Sequence, residues 1–198
     1  MASARGVNAL VDAAAERRLS SLAIHACNLD GDTVPALARL LQRGSLSSLL
    51  VECLGFPLAQ ETSVPVLCAA LRSCRTLRNL TLRLSAPNGA DRRTVAELLD
   101  AVASLPALSY LNLRDSSVQD SLAFGRALGA LLGANLPSLL FLRVNDCRLG
   151  DEGLGALLDG LAANTHLRFL QCEHNDLSEA FERDRLAPAL AALARGTR

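Results

Sequence analysis

The sequence contains no lysine and no tryptophan, one tyrosine and one methionine. Without lysine it offers no side-chain amine for acetyl or ubiquitin transfer. Every cationic contact falls to its 20 arginines, whose guanidinium favours planar, bidentate geometry. An all-arginine cation set reads as the composition of a GC-rich genome. Net charge is lacking too, since 20 basic residues balance 20 acidic ones. A neutral chain lacks the overall pull of a general nucleic-acid binder, so nucleic acid is not an expected partner. No uninterrupted apolar stretch approaches the ~20 residues that cross a bilayer. The N-terminal segment carries Asp12, Glu16, Arg17 and Arg18, where a secretory signal needs an unbroken apolar centre. Neither a membrane nor secretion is expected.

What is present is leucine. Half of the 198 residues are hydrophobic, with 43 Leu and 32 Ala against only six aromatics. That share is too apolar for a disordered chain, and the length suits one domain or one elongated repeat array. An aliphatic excess with few rings directs attention to internal repeats. Six copies of one pattern emerge: LSSLAIHACNL from Leu19, LSSLLVECLGF from Leu46, LRNLTLRLSAP from Leu77, LSYLNLRDSSV from Leu108, LLFLRVNDCRL from Leu139 and LRFLQCEHNDL from Leu167. Their starts are 27, 31, 31, 31 and 28 residues apart.

Each copy is apolar at its first, fourth and sixth positions. The fourth and sixth alternate with polar residues, which is strand periodicity, over roughly 3–5 residues. The ninth position holds Cys27, Leu54, Ser85, Ser116, Cys147 and Asn175. A Cys, Ser or Asn there can hydrogen-bond loop backbone groups that no strand partner reaches. Leu54 cannot, so the second repeat is expected to be locally irregular. Behind each strand lies a stretch with helical spacing: Val34 to Leu41, Val64 to Arg72, Thr94 to Val102, Leu122 to Leu132, Leu154 to Leu161 and Leu186 to Leu193. Asp32 or Thr33 is the expected cap of the first and Gly44 its stop, while Pro35 and Pro65 fall in first turns. Pro106 and Pro137 precede strands, where a helix must already have ended. One strand and one helix cannot bury their own apolar sides. Stacking the units makes a continuous core and, helix being bulkier than strand, curves the stack with its strands inside.

The pattern Leu-x-x-Leu-x-Leu-x-x-(Asn/Cys)-x-Leu, followed by a helix of about three turns, resembles leucine-rich repeats of the ribonuclease-inhibitor type. The run Gly150–Leu167 is the closest single match, and the resemblance covers Leu19 to about Arg195. Leu54, Pro87 and the 31-residue spacings depart from it and affect local loop geometry. The resemblance implies an α/β horseshoe, or solenoid, of about six strand-helix repeats, with a parallel sheet on the concave face and helices on the convex face. The family contains ribonuclease inhibitors, sensor domains of NOD-like receptors, Ran GTPase-activating proteins and many scaffolds. It therefore implies protein binding without selecting the partner. The leading expectation is a non-catalytic scaffold in a larger assembly. A regulator of a small GTPase and an innate-sensor-like module are its alternatives.

Residues 1–18 lack the strand pattern. Val7, Leu10, Val11 and Ala14 mark one helical face there, read as a capping helix or partial repeat before an array running from 19 to 198. At the other end Leu186, Leu190 and Leu193 form a stripe interrupted by Pro188, and Glu182-Arg183-Asp184-Arg185 reads as a solvated loop or helix start. Open strands at the ends of the stack suggest end-to-end stacking with another subunit.

Six cysteines invite a disulfide or metal reading, but there is no CxxC pair and no HxxxH. They are expected to be reduced thiols, packed as small apolar or loop-bonding groups in the cytoplasm or another reducing intracellular compartment. His25 and His174 fall in the first and last repeats, so no Ser/His/Asp or Cys/His constellation forms. Within Cys172-Glu173-His174 the strand alternation points Cys172 inward and Glu173 outward. The glycine-bearing run at Gly150–Gly155 matches neither a phosphate loop nor a dinucleotide fingerprint. No catalytic residue, metal or cofactor is expected.

The third, fifth and seventh positions of each strand point away from the core. The third positions are Ser21, Ser48, Asn79, Tyr110, Phe141 and Phe169, which sets three rings side by side in a stripe about 10 Å long. Asn112, Arg143 and Gln171 at the fifth position, and Arg83, Arg114, Asn145 and Glu173 at the seventh, border it. Exposed rings bordered by arginine and carboxylates have the composition of a binding hot spot, so these ten residues are the expected site for a protein partner. Arg83, Arg114 and Arg143 form a basic line across the stripe, either free or paired with carboxylates.

Overall fold

The computed structural model describes residues 4–25, 32–52, 63–90 and 92–196. Cys27, Cys53 and Leu54, with the irregularity expected there, lie outside these residues, as do the side chains of Val7, Ser85 and Pro87.

Every repeat opens its strand at the third position of the motif. The strands are β1 (Ser21–His25), β2 (Ser48–Glu52), β3 (Asn79–Leu82), β5 (Tyr110–Asn112), β7 (Phe141–Arg143) and β8 (Phe169–Gln171). Two short strands fall between them, β4 (Ser85–Ala90) and β6 (Ser117–Val118). The six repeat strands form one open parallel sheet in the order β1-β2-β3-β5-β7-β8. Register runs third position to third position along the whole sheet, from Ser21↔Ser48 through Tyr110↔Phe141 to Phe141↔Phe169. A slip of one residue would turn the leucines outward, so the buried fourth position fixes this register. Leu22, Leu49, Leu80, Leu111 and Leu142 occupy it and are buried. Its counterpart on the last strand, Leu170, is only half-buried.

The helices behind the sheet are α2 (Thr33–Gln42), α3 (Ser63–Ser73), α4 (Arg92–Ala103), α5 (Ser121–Gly133) and α6 (Gly150–Ala162). Pro35 and Pro65 sit in first turns, where a missing N–H leaves no intrahelical bond unmade. Asp32 is the N-cap residue of α2 but accepts no capping bond through its side chain. Gly44 follows that helix with φ of +67°, a conformation that favours glycine as a stop. Apolar side chains from both layers merge into one continuous core, in which Phe124 is the largest fully buried ring.

Two of the three 31-residue repeats, those from Leu77 and Leu108, hold extra chain in a local device, and the connection of the third, from Leu46, lies outside the described residues. β4 and β6 pair in parallel as a second small sheet, joining the strand-to-helix connections of the third and fourth repeats. This accounts for the departure around Pro87.

Two expectations about the ends change. Helix α1 (Ala4–Glu16) buries Val11 and Ala14, but Leu10 is 54% exposed. At 100° per residue Leu10 stands on the Ala14 side of their face, about 100° round from Val11, at a margin that α2 does not cover. At the other end Pro188 does not interrupt a helix. α7 (Glu179–Phe181), a π-helical turn (Glu182–Leu186) and α8 (Ala187–Arg195) run on without a break. The Ala187 N–H bonds the Glu182 carbonyl five residues back, and this wider register places Pro188 in the first turn of α8.

Candidate functional site

Tyr110, Phe141 and Phe169 each begin a strand and are in register, so the pleat sends all three off the same side of the sheet, opposite Leu111, Leu142 and Leu170. Ring centroids are 4.9 Å apart for Tyr110–Phe141 and 5.8 Å for Phe141–Phe169, with interplanar angles of 28° and 29°. These are stacked contacts within the favourable range for aromatic pairs. Tyr110 and Phe141 are half-buried, while Phe169, at the end of the stack, is 61% exposed. Asn79 continues the row on the other side of Tyr110, so the stack ends there.

The polar residues beside the rings divide into three groups. Asn112 and Asn145 were expected to face a partner, but they are only 6% and 3% exposed. Both organise the chain instead. The Asn112 Oδ1 accepts from the Arg114 backbone N–H at 3.0 Å, and the Asn145 Nδ2 donates to the Glu173 carboxylate. Two of the three arginines in the basic line are held by neighbours. Arg83 Nε donates to the Asp115 carbonyl oxygen at 3.2 Å. Arg114 Nε lies 3.1 Å from Asp115 Oδ2 and 4.0 Å from Glu52 Oε1, and Glu52 also meets His25 Nδ1 at 3.2 Å. These are half-exposed contacts that set side-chain positions and, screened by solvent, contribute little to stability. Arg143 is different. It is half-buried, and its Nε is enclosed without an acceptor among the described residues. Gln171 is half-buried and Glu173 exposed beside it.

Where the chain leaves each of the last three strands, the backbone turns sharply. Asp115, Asp146 and His174 hold the eighth position with φ of 55°, 58° and 55°. Asp tolerates this left-handed region better than most residues, which gives its presence there a local physical reason. The turn aims the ninth side chain back under the sheet. Leu84 N–H donates to Ser116 Oγ at 3.0 Å, and Cys147 Sγ donates to the Leu113 carbonyl at 3.2 Å. Asn175 Nδ2 reaches the Val144 and Cys172 carbonyls, each at 2.8 Å. Its Oδ1 accepts from the Cys147 and Leu149 N–H groups, each at 3.2 Å. Each ninth residue thus stitches its own turn to the preceding repeat and holds the concave face in register.

The described cysteines Cys68, Cys74, Cys147 and Cys172 are free and buried. Burial pushes the Cys147 thiol up to about 12 and the Cys172 thiol up to about 11, and it also raises Cys68. Such thiols stay protonated and packed. His25 pairs with Glu52 in the first two repeats and His174 with Asp146 in the last two, at 3.4 Å, so the structure does not bring the histidines together. No group of three metal-ligating side chains occurs among the described residues, and none of the described helices is long and apolar enough to cross a membrane.

No protein-family model matches the chain. It is 30% identical over 165 residues to the human NACHT, LRR and PYD domains-containing protein 13, a match covering 81% of this chain and 15% of that protein. The chain therefore spans about 15% of the length of that relative. The structure superposes on leiomodin-1 actin-binding site 2 with a TM-score of 0.54, at 16% identity, covering 94% of this chain and 88% of that one. The tropomodulin C-terminal domain of Caenorhabditis elegans gives a TM-score of 0.51 at 14% identity, over 98% and 95% of the two chains. The fold is a leucine-rich repeat solenoid. The repeats place their strands, and with them the ring stack, along its concave side.

Proposed function

We propose that this chain is a non-catalytic protein-interaction module, a subunit of a larger intracellular assembly, that binds a protein partner through the concave face of its last three repeats. The observation that carries this reading is the stack of Tyr110, Phe141 and Phe169, ending on a 61% exposed Phe169. Three aligned rings in a chain with only six aromatics lie outside the core, and burying them against a partner removes their apolar surface from water. The leiomodin-1 structure of the same fold is an actin-binding site, which supports a protein as the class of partner. The sequence likeness to a protein whose name includes LRR domains supports the repeat reading and assigns no activity. Strand-to-helix repeats of 27 to 31 residues support repeats of the ribonuclease-inhibitor type. Buried, free thiols support a reducing compartment such as the cytoplasm.

The test is replacement of Tyr110, Phe141 and Phe169 by Ala together. The variant should keep its circular dichroism spectrum and lose the partners that the wild-type chain captures, identified by mass spectrometry. Full recovery of those partners by the triple variant refutes the concave-face reading.

A further inference from the structure

At its C-terminal end the concave face deepens into a groove of about 800 Å³ between β8 and α8. Phe141, Phe169 and Leu170 line it from the sheet, and Leu190 and Leu193 from the helix. The last two rings of the stack are therefore also lining of the groove, which makes it a continuation of the proposed binding face. The half-buried state of Leu170 has its cause here: where the other fourth-position leucines meet a following repeat, this one meets a cleft.

The charge of the groove is one-sided. Arg168 and Arg195 line it, and among the described residues no Asp or Glu does. Glu173 and Glu182 line an adjoining recess of about 330 Å³ that shares Leu170, Gln171 and Leu190 with the groove. Elsewhere the chain pairs its arginines across the surface, as in Arg39–Asp12 at 2.7 Å, Arg72–Asp100 at 2.8 Å and Arg185–Asp159 at 2.9 Å. Neither Arg168 nor Arg195 has a carboxylate within reach among the described residues. One strand away, Arg143 stands in register with Gln171, another lining residue, and holds the enclosed Nε that has no acceptor.

We infer that this groove seats an acidic, apolar segment of a partner protein, its apolar side chains between Phe169 and Leu190 and its carboxylates on Arg168 and Arg195. The inference rests on the concave-face reading and gives that partner a chemistry. A nucleic acid is the weaker occupant, because the chain as a whole has no positive excess to neutralise a run of phosphates.

The test uses the full chain and labelled peptides in fluorescence anisotropy. A peptide alternating Leu and Glu should bind, and its affinity should fall as salt is added. Its Leu/Lys counterpart should not bind. The Arg168→Glu/Arg195→Glu double variant should lose the acidic peptide by about tenfold or more and gain the basic one. Both arginines lie on the surface, so circular dichroism should show the fold intact. Equal binding of the two peptides overturns the inference, as does tighter binding of oligo-dT than of the acidic peptide, or a charge-reversed chain that still prefers it. If the acidic peptide fails while the ring triple variant still loses its partners, the groove inference falls and the concave-face reading stands. If the charge swap works while the triple variant keeps its partners, the concave-face reading falls and the groove stands alone.

Discussion

Asn175 is the residue at which the structure makes its sharpest stability prediction. It is 1% exposed and spends both ends of its amide on backbone: Oδ1 on the Cys147 and Leu149 N–H groups, Nδ2 on the Val144, Cys172 and Glu173 carbonyls. Truncation to Ala strands two buried N–H donors, each costing about 1–3 kcal/mol when left unsatisfied. The Glu173 carbonyl keeps the Asp146 N–H, so the acceptors lose less. Asn175→Ala is therefore expected to cost about 3–4 kcal/mol, a large part of the ~5–15 kcal/mol that holds a domain together. Asn175→Asp, nearly the same shape, is expected to be worse at neutral pH. It keeps the two acceptor contacts but aims a buried carboxylate at three carbonyl oxygens in place of an amide donor. Burial and those carbonyls raise its folded pKa above the ordinary ~3.9. Such a group destabilises the fold above its folded pKa, and that loss is recovered as pH falls towards the unfolded value. Urea unfolding of the three proteins at neutral and mildly acidic pH tests this, with the midpoint as readout at constant slope. An Ala variant within 0.5 kcal/mol of wild type, or an Asp variant as stable as wild type at neutral pH, refutes the view that the ninth-position side chains hold the repeats together.

Further consequences follow from the helix layer and the buried thiols. Helices α5 and α6 approach through glycines: a Cβ on Gly153 would lie 2.7 Å from the Ser121 carbonyl oxygen, and Cβ atoms on Gly125 or Gly160 would overlap the Gly153 or Gly129 carbonyls more severely. Gly160→Ala should therefore destabilise by about 1–2 kcal/mol, overpacking outweighing the ~1 kcal/mol gain in helix propensity. Gly133→Ala, with open space at its Cβ, should be neutral or stabilising, and a thermal melt giving both variants the same sign would contradict this packing. The raised thiols make stability fall in alkali. Their folded pKa values of about 12 and about 11 exceed the ordinary thiol value of 9.0, so the folded state keeps protons that the unfolded chain releases. Stability is fully present below pH 9 and is lost as pH rises towards 11, at up to ~1.4 kcal/mol per unit for each thiol. Cys147→Ala/Cys172→Ala should flatten that part of the urea-midpoint profile, and an unchanged slope would show that other groups control it.

The fold was legible because its signal repeats six times. A leucine at the fourth position of one copy is weak information, but the same leucine at one register in successive strands leaves a single way to stack them. The same regularity exposed the ninth-position role, since Ser116, Cys147 and Asn175 share little except the ability to bond backbone. What repetition did not carry was legible only in part. The small β4–β6 sheet follows from extra length in two connections, and length alone does not say what form it takes. The glycine contact between α5 and α6 depends on two helices meeting, which neither pattern encodes alone. Leu10 looked inward because a helical face drawn from four residues is too broad to place its margin.

For the proposed binding face, direction was readable and exposure was not. Alternation along a strand says which side a residue leaves from, and it placed all three rings correctly in register. Exposure depends on the size of the neighbours on the same side. Thr81 and Asn112 are short side chains in a field of rings and arginines, and both end up buried, at 8% and 6% exposed. The same crowding separates the arginines. Arg83 and Arg114 meet Asp115, which the left-handed turn after β5 brings within reach. The corresponding residue of the next repeat, Asp146, faces His174 instead, leaving Arg143 without an anion among the described residues. Successive repeats thus exchange Asn and Arg at two positions, Asn112 and Arg114 against Arg143 and Asn145, and the arginine is paired with a carboxylate in the first of them and not, among the described residues, in the second. The proposed site lies where repetition breaks down: at Arg143, at the half-covered Leu170 and in the arginine-lined groove beyond them.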